Sequence, residues 1–193
     1  MEKNFWQRNK VVLIILAVIV LLALWVVGKY NSFVRQNEAI TNQWAQVDNQ
    51  LQRRFDLIPN VVNTVKGITK QEKDVFTAIA DARTHYAGAS TVDQKATAAG
   101  QVESSLGRLL VITENYPQLL SSKSFQDLTV ELEGAENRIA VERMKYNDLV
   151  KSLNAGVKVF PSSIVASIFG VKERAYFEVK DEAKVVPKVD FTQ

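Results

Sequence analysis

Hydrophobic and polar positions do not alternate at all near the start of the chain. Val11 to Val27 is a run of 17 residues without a polar side chain, closed by Gly28 and flanked by Lys10 and Lys29. A helix needs roughly 17–25 apolar residues to cross a ~30 Å hydrocarbon core. The run therefore predicts a transmembrane anchor over 11–28, behind a basic flank over 1–10. A signal peptide and a buried helix compete with the anchor for these residues. A cleavable signal peptide has an apolar region of roughly 7–15 residues and small residues at its cleavage site. This run is longer, and Leu24-Trp25-Val26-Val27-Gly28 lacks the small residues at that spacing. A helix buried in a soluble domain is disfavoured by the position of the run so early in the chain.

Beyond the anchor the pattern is helical almost everywhere. Tyr30, Phe33, Ile40, Trp44, Val47, Leu51, Ile58, Val61, Val65 and Ile68 follow steps of three and four, with Asn37 and Arg54 filling the gaps. No Gly-Pro linker separates this seam from the anchor, so the two read as one rod. Pro59 removes a backbone donor and its ring clashes with the Phe55 carbonyl. The stripe keeps its phase across it, which predicts a kink rather than a stop, with the helix ending near Gly67. Thr69 with Glu72 forms a capping box for a second helix that carries Val75, Phe76, Ile79, Ala82 and Tyr86 on one face. After Gly88-Ala89-Ser90, either Ser90 or Thr91 caps a third, through Val102, Leu106, Leu109, Leu110 and Thr113. Ser124 opens a fourth, with Phe125, Leu128, Leu132, Ala135, Ile139, Tyr146, Leu149 and Leu153 as its seam.

The predicted fold is all-α: the transmembrane helix continues into an antiparallel up-down four-helix bundle over 29–159. Its helices cover about 29–67, 70–88, 92–115 and 125–157. Residues 160–193 form a short helix, with Pro161 at its first position, and an extended tail. With helices alternating in direction, the tail returns to the membrane-proximal end. Its apolar Ile164, Ile168, Phe169, Tyr176 and Phe177 are candidates for contact with the bilayer surface or a neighbouring subunit. Covering the open end of the bundle itself is the third option.

Composition removes whole classes of chemistry. There is no Cys and a single His, His85, so thiol nucleophiles, disulfides, cysteine-ligated metals and two-histidine metal motifs are excluded. Eight Gly and four Pro are too few for an all-β domain built on tight turns. Residues 1–10 carry Lys3, Arg8 and Lys10 against Glu2, while residues 29–193 hold 21 basic and 20 acidic side chains. No basic stripe of the kind nucleic-acid binders use follows from that balance. Three basic residues before the apolar run and two closely after it, Lys29 and Arg35, favour an N-terminus inside and a domain outside the cytoplasm.

Within this framework the residues resemble the LemA family. Tyr30-Asn31-Ser32-Phe33-Val34, Trp44-Ala45-Gln46-Val47-Asp48, Gln52-Arg53-Arg54-Phe55-Asp56-Leu57-Ile58-Pro59-Asn60 and Thr64-Val65-Lys66-Gly67 carry the first part of the likeness. Glu114-Asn115-Tyr116-Pro117, Glu133-Gly134-Ala135-Glu136-Asn137-Arg138-Ile139, Tyr146-Asn147, Phe160-Pro161-Ser162, Phe169-Gly170 and Pro187-Lys188-Val189-Asp190-Phe191 carry the rest. The likeness covers about residues 29–193; Val61 departs from it, where a Leu is expected. It implies a bacterial single-pass protein of the cytoplasmic membrane with an antiparallel helical bundle, and no particular reaction. Family genes that neighbour those of membrane metalloproteases imply a role in envelope maintenance or membrane-protein quality control.

Catalytic templates are hard to place on these residues. A di-iron bundle site needs inward Glu residues and two Glu-x-x-His pairs; Glu131, Glu133, Glu136 and Glu142 supply carboxylates, but no His follows any Glu by three. Asp81 and His85 read as a surface pair one turn apart, and no phosphate-binding glycine loop is present. No cofactor and no enzymatic activity are expected. The polar candidates are Asn37, Arg53, Arg54, Asp56, Asn60, Glu114, Glu133, Asn137, Arg138 and Arg143, crowded around Pro59 and on the fourth helix. Either they form a recognition site, with Arg54, Asn60, Glu114, Asn137 and Arg138 at its centre, or they fix register between helices. The second has the stronger physical warrant, because a charge on a buried seam must be paired and seam polar residues specify register. The function expected is a non-catalytic scaffold or adaptor acting through the lipid bilayer, homo-oligomerisation, and a membrane protease or other envelope proteins. A sensor or ligand-binding ectodomain near Pro59 is the alternative.

Overall fold

A computed structural model describes the backbone over residues 2–66 and 73–178, with side chains over 9–65 and 74–178. Six helices occupy it: α1 (Glu2–Lys66), α2 (Lys73–Gly88), α3 (Val92–Thr113), α4 (Pro117–Leu120), α5 (Lys123–Lys158) and α6 (Ser162–Ile168). No strand occurs among the described residues. The chain divides into two compact units, one of residues 1–41 with 149–174, the other of residues 42–148 with 175–193.

Helix α1 runs unbroken through the apolar segment and through Pro59. Within it, one stretch is long and apolar enough to cross a membrane. The side chains from Val11 to Leu24 are exposed, with Leu13, Ile14 and Leu21 more than 60% open. In the same unit the chemistry changes at Phe33, where α1 first buries a side chain. Phe33 and Ile40 are buried in this unit, as are Val150 and Leu153 of α5 and Val165 and Ala166 of α6. Gly156 lets the Phe33 ring come close, since a Cβ there would lie 3.1 Å from the ring.

In the other unit α1 buries Val47, Leu51, Phe55, Ile58, Val61 and Val65, at steps of three and four. Other buried side chains of the unit lie on α2 (Ile79, Ala82, Tyr86), α3 (Val102, Leu106, Leu109) and α5 (Leu132, Ala135, Ile139, Tyr146), and Phe55 stacks on Tyr86. Helices α2 and α3 are neighbours joined by a three-residue turn, and α3 presents buried Ala96, Ala98, Ala99 and Gly100, whose small volume permits close approach. Pairs between α1 and α5 run antiparallel: Gln43 meets Glu142, and Arg54 meets Glu136.

The start of α3 follows the expected capping chemistry. Thr91 Oγ1 accepts from the Gln94 backbone N–H at 3.2 Å, and the Gln94 side chain accepts in return from the Thr91 backbone N–H at 3.2 Å. Losing the cap with Thr91→Ala should cost about 1 kcal/mol, read as a shifted urea midpoint with an unchanged slope.

Several boundaries differ from expectation. Ser124 does not cap a helix, because α5 already begins at Lys123. The Tyr116-Pro117 break holds a short helix of its own, with Pro117 at its first position, where a missing N–H costs nothing. Pro161 is the residue before α6 rather than its first, and has helical backbone angles. Residues 171–178 carry no regular secondary structure. The capping box at Thr69–Glu72 and the extended segment over 185–191 lie outside the described residues.

Candidate functional site

Three polar assemblies and two apolar features carry what chemistry the fold offers. The first assembly was not signalled by the sequence pattern. Asp48 of α1 accepts from the Tyr86 hydroxyl at 2.6 Å and from Lys95 Nζ at 2.5 Å, so one carboxylate ties α1 to α2 and α3. The Lys95 ammonium lies 5.3 Å from the centre of the Tyr86 ring, and Phe55 stacks on that ring at 4.0 Å between centroids. Burial, and then the bond to Asp48, push the Tyr86 phenol far above its usual range. Tyr86 is thus a permanent donor and no base at neutral pH. A phenol in the unfolded chain ionises near 10.0. The raised folded value means that Tyr86 contributes stability below that pH, and the contribution is lost as pH rises above it. Thermal midpoints of the wild type should therefore fall more steeply than those of Tyr86→Phe between about pH 10 and pH 11; parallel profiles would refute the assignment.

The second assembly is the Arg54–Glu136 ion pair, 2.5 Å between Nη1 and Oε2. Arg54 is buried and Glu136 is partly open. The contact is an ion pair without well-aligned hydrogen bonds, and Arg54 Nε has no acceptor. Nearby on the same two helices, Gln43 donates to Glu142 Oε2 at 2.5 Å and to the Glu142 carbonyl at 3.2 Å. Lys145 and then Gln43 hold the Glu142 carboxyl below its usual range.

The third assembly holds the tail by side-chain amides. In one unit Asn154 donates to the Arg174 carbonyl at 2.9 Å and accepts from the Arg174 N–H at 2.8 Å. In the other, Asn147 does the same with Phe177, at 3.0 and 2.8 Å. The Tyr146 hydroxyl donates to the Ala175 carbonyl at 3.0 Å. Each Asn thus satisfies both main-chain groups of one tail residue, as a paired strand would.

The polar candidates separate accordingly. Arg54 is the one drawn into an interhelical pair. Asn37 belongs to the first unit, where its Oδ1 accepts from Arg174 Nε at 3.0 Å. Asp56 accepts from Gln52 one turn away. The Asn60 side chain is exposed, and its carbonyl accepts from Thr64. Arg53, Glu133 and Asn137 are exposed, and Glu114 is the exposed residue that ends α3. Arg138 is exposed too, its guanidinium folded over Gly134 of the preceding turn. Arg143 lies over the Phe177 ring, 6.0 Å from its centre. The five residues offered as a recognition centre are not joined to one another by any described polar contact.

The apolar candidates also divide. Phe177 is 2% exposed and sits against Trp44, with ring centroids 5.9 Å apart. Its assignment to a membrane or subunit contact is corrected: the ring fills its own core because Asn147 fixes its backbone there. Tyr176 is half-buried and lines a recess of about 320 Å³ with Asp93, Thr97 and Glu178. Ile164, Ile168 and Phe169 stay exposed. A groove of about 570 Å³ lies beside Pro59, lined by Ile58, Val62, Phe76, Ile79 and Arg83 among others. Arg83 borders this groove together with Pro59.

Among the described residues, an all-helical protein with one exposed span long enough to cross a membrane, and side-chain locks between its helices, is the class these features define. The chain belongs to the LemA family, whose model matches residues 43–191. Magnetosome proteins MamQ 1 and MamQ 2 of Paramagnetospirillum magneticum are each 27% identical over 178 residues, covering 79% of this chain and 65% of theirs. Magnetosome protein MamQ of Magnetospirillum gryphiswaldense is 26% identical over 83% of this chain and 70% of its own. Protein LemA of Metamycoplasma hominis is 23% identical over 82% and 73%. The chain spans just under two thirds of the two Paramagnetospirillum magneticum relatives.

Proposed function

We propose that this protein is a non-catalytic, single-pass scaffold or adaptor of the bacterial cytoplasmic membrane, working through self-association and envelope protein partners. The observation that carries it is the exposed apolar stretch of α1, continuous with a helix whose later turns are buried against α2, α3 and α5. Outside a bilayer, a row of exposed Val, Leu and Ile side chains of that length has no solvent that suits it. Four long helices packed as an up-down bundle over 29–159 form the working domain, held outside the cytoplasm by the basic N-terminal flank. Its polar assemblies are committed to holding helices and tail, which supports a binding surface over a reaction centre. Membrane-protein quality control, in company with a membrane protease, is the process this reading fits; nucleic acid is not a partner.

Native mass spectrometry of the protein extracted in mild detergent tests the proposal. An oligomer or a co-purifying envelope protein is expected. A strict monomer that carries nothing, and that sodium carbonate washes from membranes, would overturn it. The groove beside Pro59 favours a second reading, a ligand-binding ectodomain, because its volume falls within the ~300–1,000 Å³ range of small-molecule sites. Arg83 would then face the ligand, and a bound small molecule lost on Arg83→Ala would identify that activity.

A further inference from the structure

The unit that contains the anchor has a surface its own core does not use. Helix α6 buries Ser162, Val165 and Ala166 on one side. On the opposite side, one turn apart, Ile164 is 51% and Ile168 68% exposed. The turn that leads into it adds Phe160, 76% exposed, and Val159, 59%. This apolar cluster connects to α1 at a defined place: the Phe169 ring lies 4.6 Å from the Tyr30 ring. Tyr30 stands three residues past Val27, the last residue of the apolar run. At 1.5 Å per residue that is about 4.5 Å along the axis. The headgroup region on each side of the hydrocarbon core is ~5–7 Å deep, so Phe169 contacts α1 at the depth of that boundary.

Charge singles out the same unit. Its residues 29–41 and 149–174 hold Lys29, Arg35, Lys151, Lys158, Lys172 and Arg174 against Glu38 and Glu173, a net of +4. The other unit holds 15 basic and 18 acidic residues, a net of −3. The near-neutral total of residues 29–193 conceals this division.

We propose that α6 and the Val159–Phe160 turn insert into the headgroup–acyl boundary of the bilayer that α1 crosses, with anionic phospholipid headgroups paired to the surrounding Lys and Arg side chains. This rests on α1 being a membrane span. Ile164, Ile168 and Phe160 form the inserted face, and Phe169 clasps Tyr30 to set its depth. Apolar burial and attraction to anionic lipid act together in such interfacial segments, and each nearby Lys or Arg adds to the attraction.

The absence of cysteine makes the test direct, since one introduced thiol is unique. The full chain carrying Ile168→Cys or Phe160→Cys, labelled with an environment-sensitive fluorophore, is reconstituted into vesicles of phosphatidylcholine with and without phosphatidylglycerol. Val20→Cys, in the span, serves as the reference. A quencher carried near the headgroup end of the acyl chain should reduce emission at 160 and 168 about twofold or more, as for a label seated ~5–10 Å into the boundary. The loss should be greater with phosphatidylglycerol. Water-soluble iodide reaching 160 and 168 while lipid quenchers reach only position 20 would overturn the proposal and leave the anchor intact. Labels shielded from both, with shielding that disappears on dilution of protein in the membrane, would mean that a second copy covers the face, which also overturns it. Equal quenching in both vesicle types would overturn the headgroup pairing. Position 20 unquenched by deep lipid labels would remove the anchor and this inference together.

Discussion

Glu136→Ala should destabilise the fold by about 3 kcal/mol, the low end for breaking a buried ion pair, because the partner left behind cannot leave. The Arg54 side chain is 8% exposed, with Nε already lacking an acceptor, so without the carboxylate its charge stays unpaired among apolar neighbours. The reverse substitution should cost less. Glu136 is 35% exposed, and its carboxylate can turn towards water when Arg54 is replaced by Met. Partial exposure also screens the attraction, which keeps the first figure from the top of the range. The double variant R54M/E136L should recover most of the loss, since apolar residues of similar volume commonly match or exceed a buried pair in stability. Urea unfolding of the four proteins in one detergent measures this as a thermodynamic cycle. Equal losses from both single variants would contradict the asymmetric burial.

Phe177→Ala should cost about 3–4 kcal/mol, the usual penalty for emptying a buried aromatic site. The ring is 2% exposed against Trp44, with Arg143 over its face. Asn147→Ala attacks the same residue by another route, removing the amide that satisfies its N–H and its carbonyl. Two main-chain groups without partners should cost about 1–3 kcal/mol each, less where water reaches them. Hydrogen exchange over 171–178 separates the two variants. Asn147→Ala should speed exchange at the Phe177 amide directly, whereas Phe177→Ala should loosen Trp44 and Tyr146 as well. A Phe177→Ala protein with wild-type stability would show that the ring is dispensable to that core.

How much of this was legible in the sequence depended on whether a feature repeats. Buried faces of α1, α2, α3 and α5 follow a 3.6-residue period, so Val47, Leu51, Tyr86, Leu106 and Ile139 could be placed from spacing alone. Arg54 stood out because a charge interrupted that period, although its partner, Glu136, was one of several carboxylates on the fourth helix. Asp48 and Lys95 were invisible for the opposite reason. Both sit beside a seam rather than on it, and their meeting depends on how α1 and α3 are rotated. Asn147 and Asn154 adjoin the seam residues Tyr146 and Leu153, yet an amide that binds main chain needs the path of the tail to be known. Phe177 looked like a surface anchor because apolar residues in a non-helical tail have no periodicity to assign them a face. Helix α4 has no sequence signature, because four residues carry too little pattern.

The two asparagine contacts have a bearing on the conditions under which the tail stays attached. Neither amide titrates, and neither the N–H nor the C=O they bind carries a net charge. The Lys158–Glu173 bridge in the first unit, both partners about half exposed, weakens as salt rises, because exposed pairs beyond a Debye length of ~8 Å at physiological ionic strength are screened and nearer ones are reduced. The Asn154 bonds to Arg174 are indifferent to that change and to acidification alike. A domain on the outer side of the membrane, where the proposed topology puts it, meets wide swings of both. The amide bonds to Arg174 and Phe177 are insensitive to both.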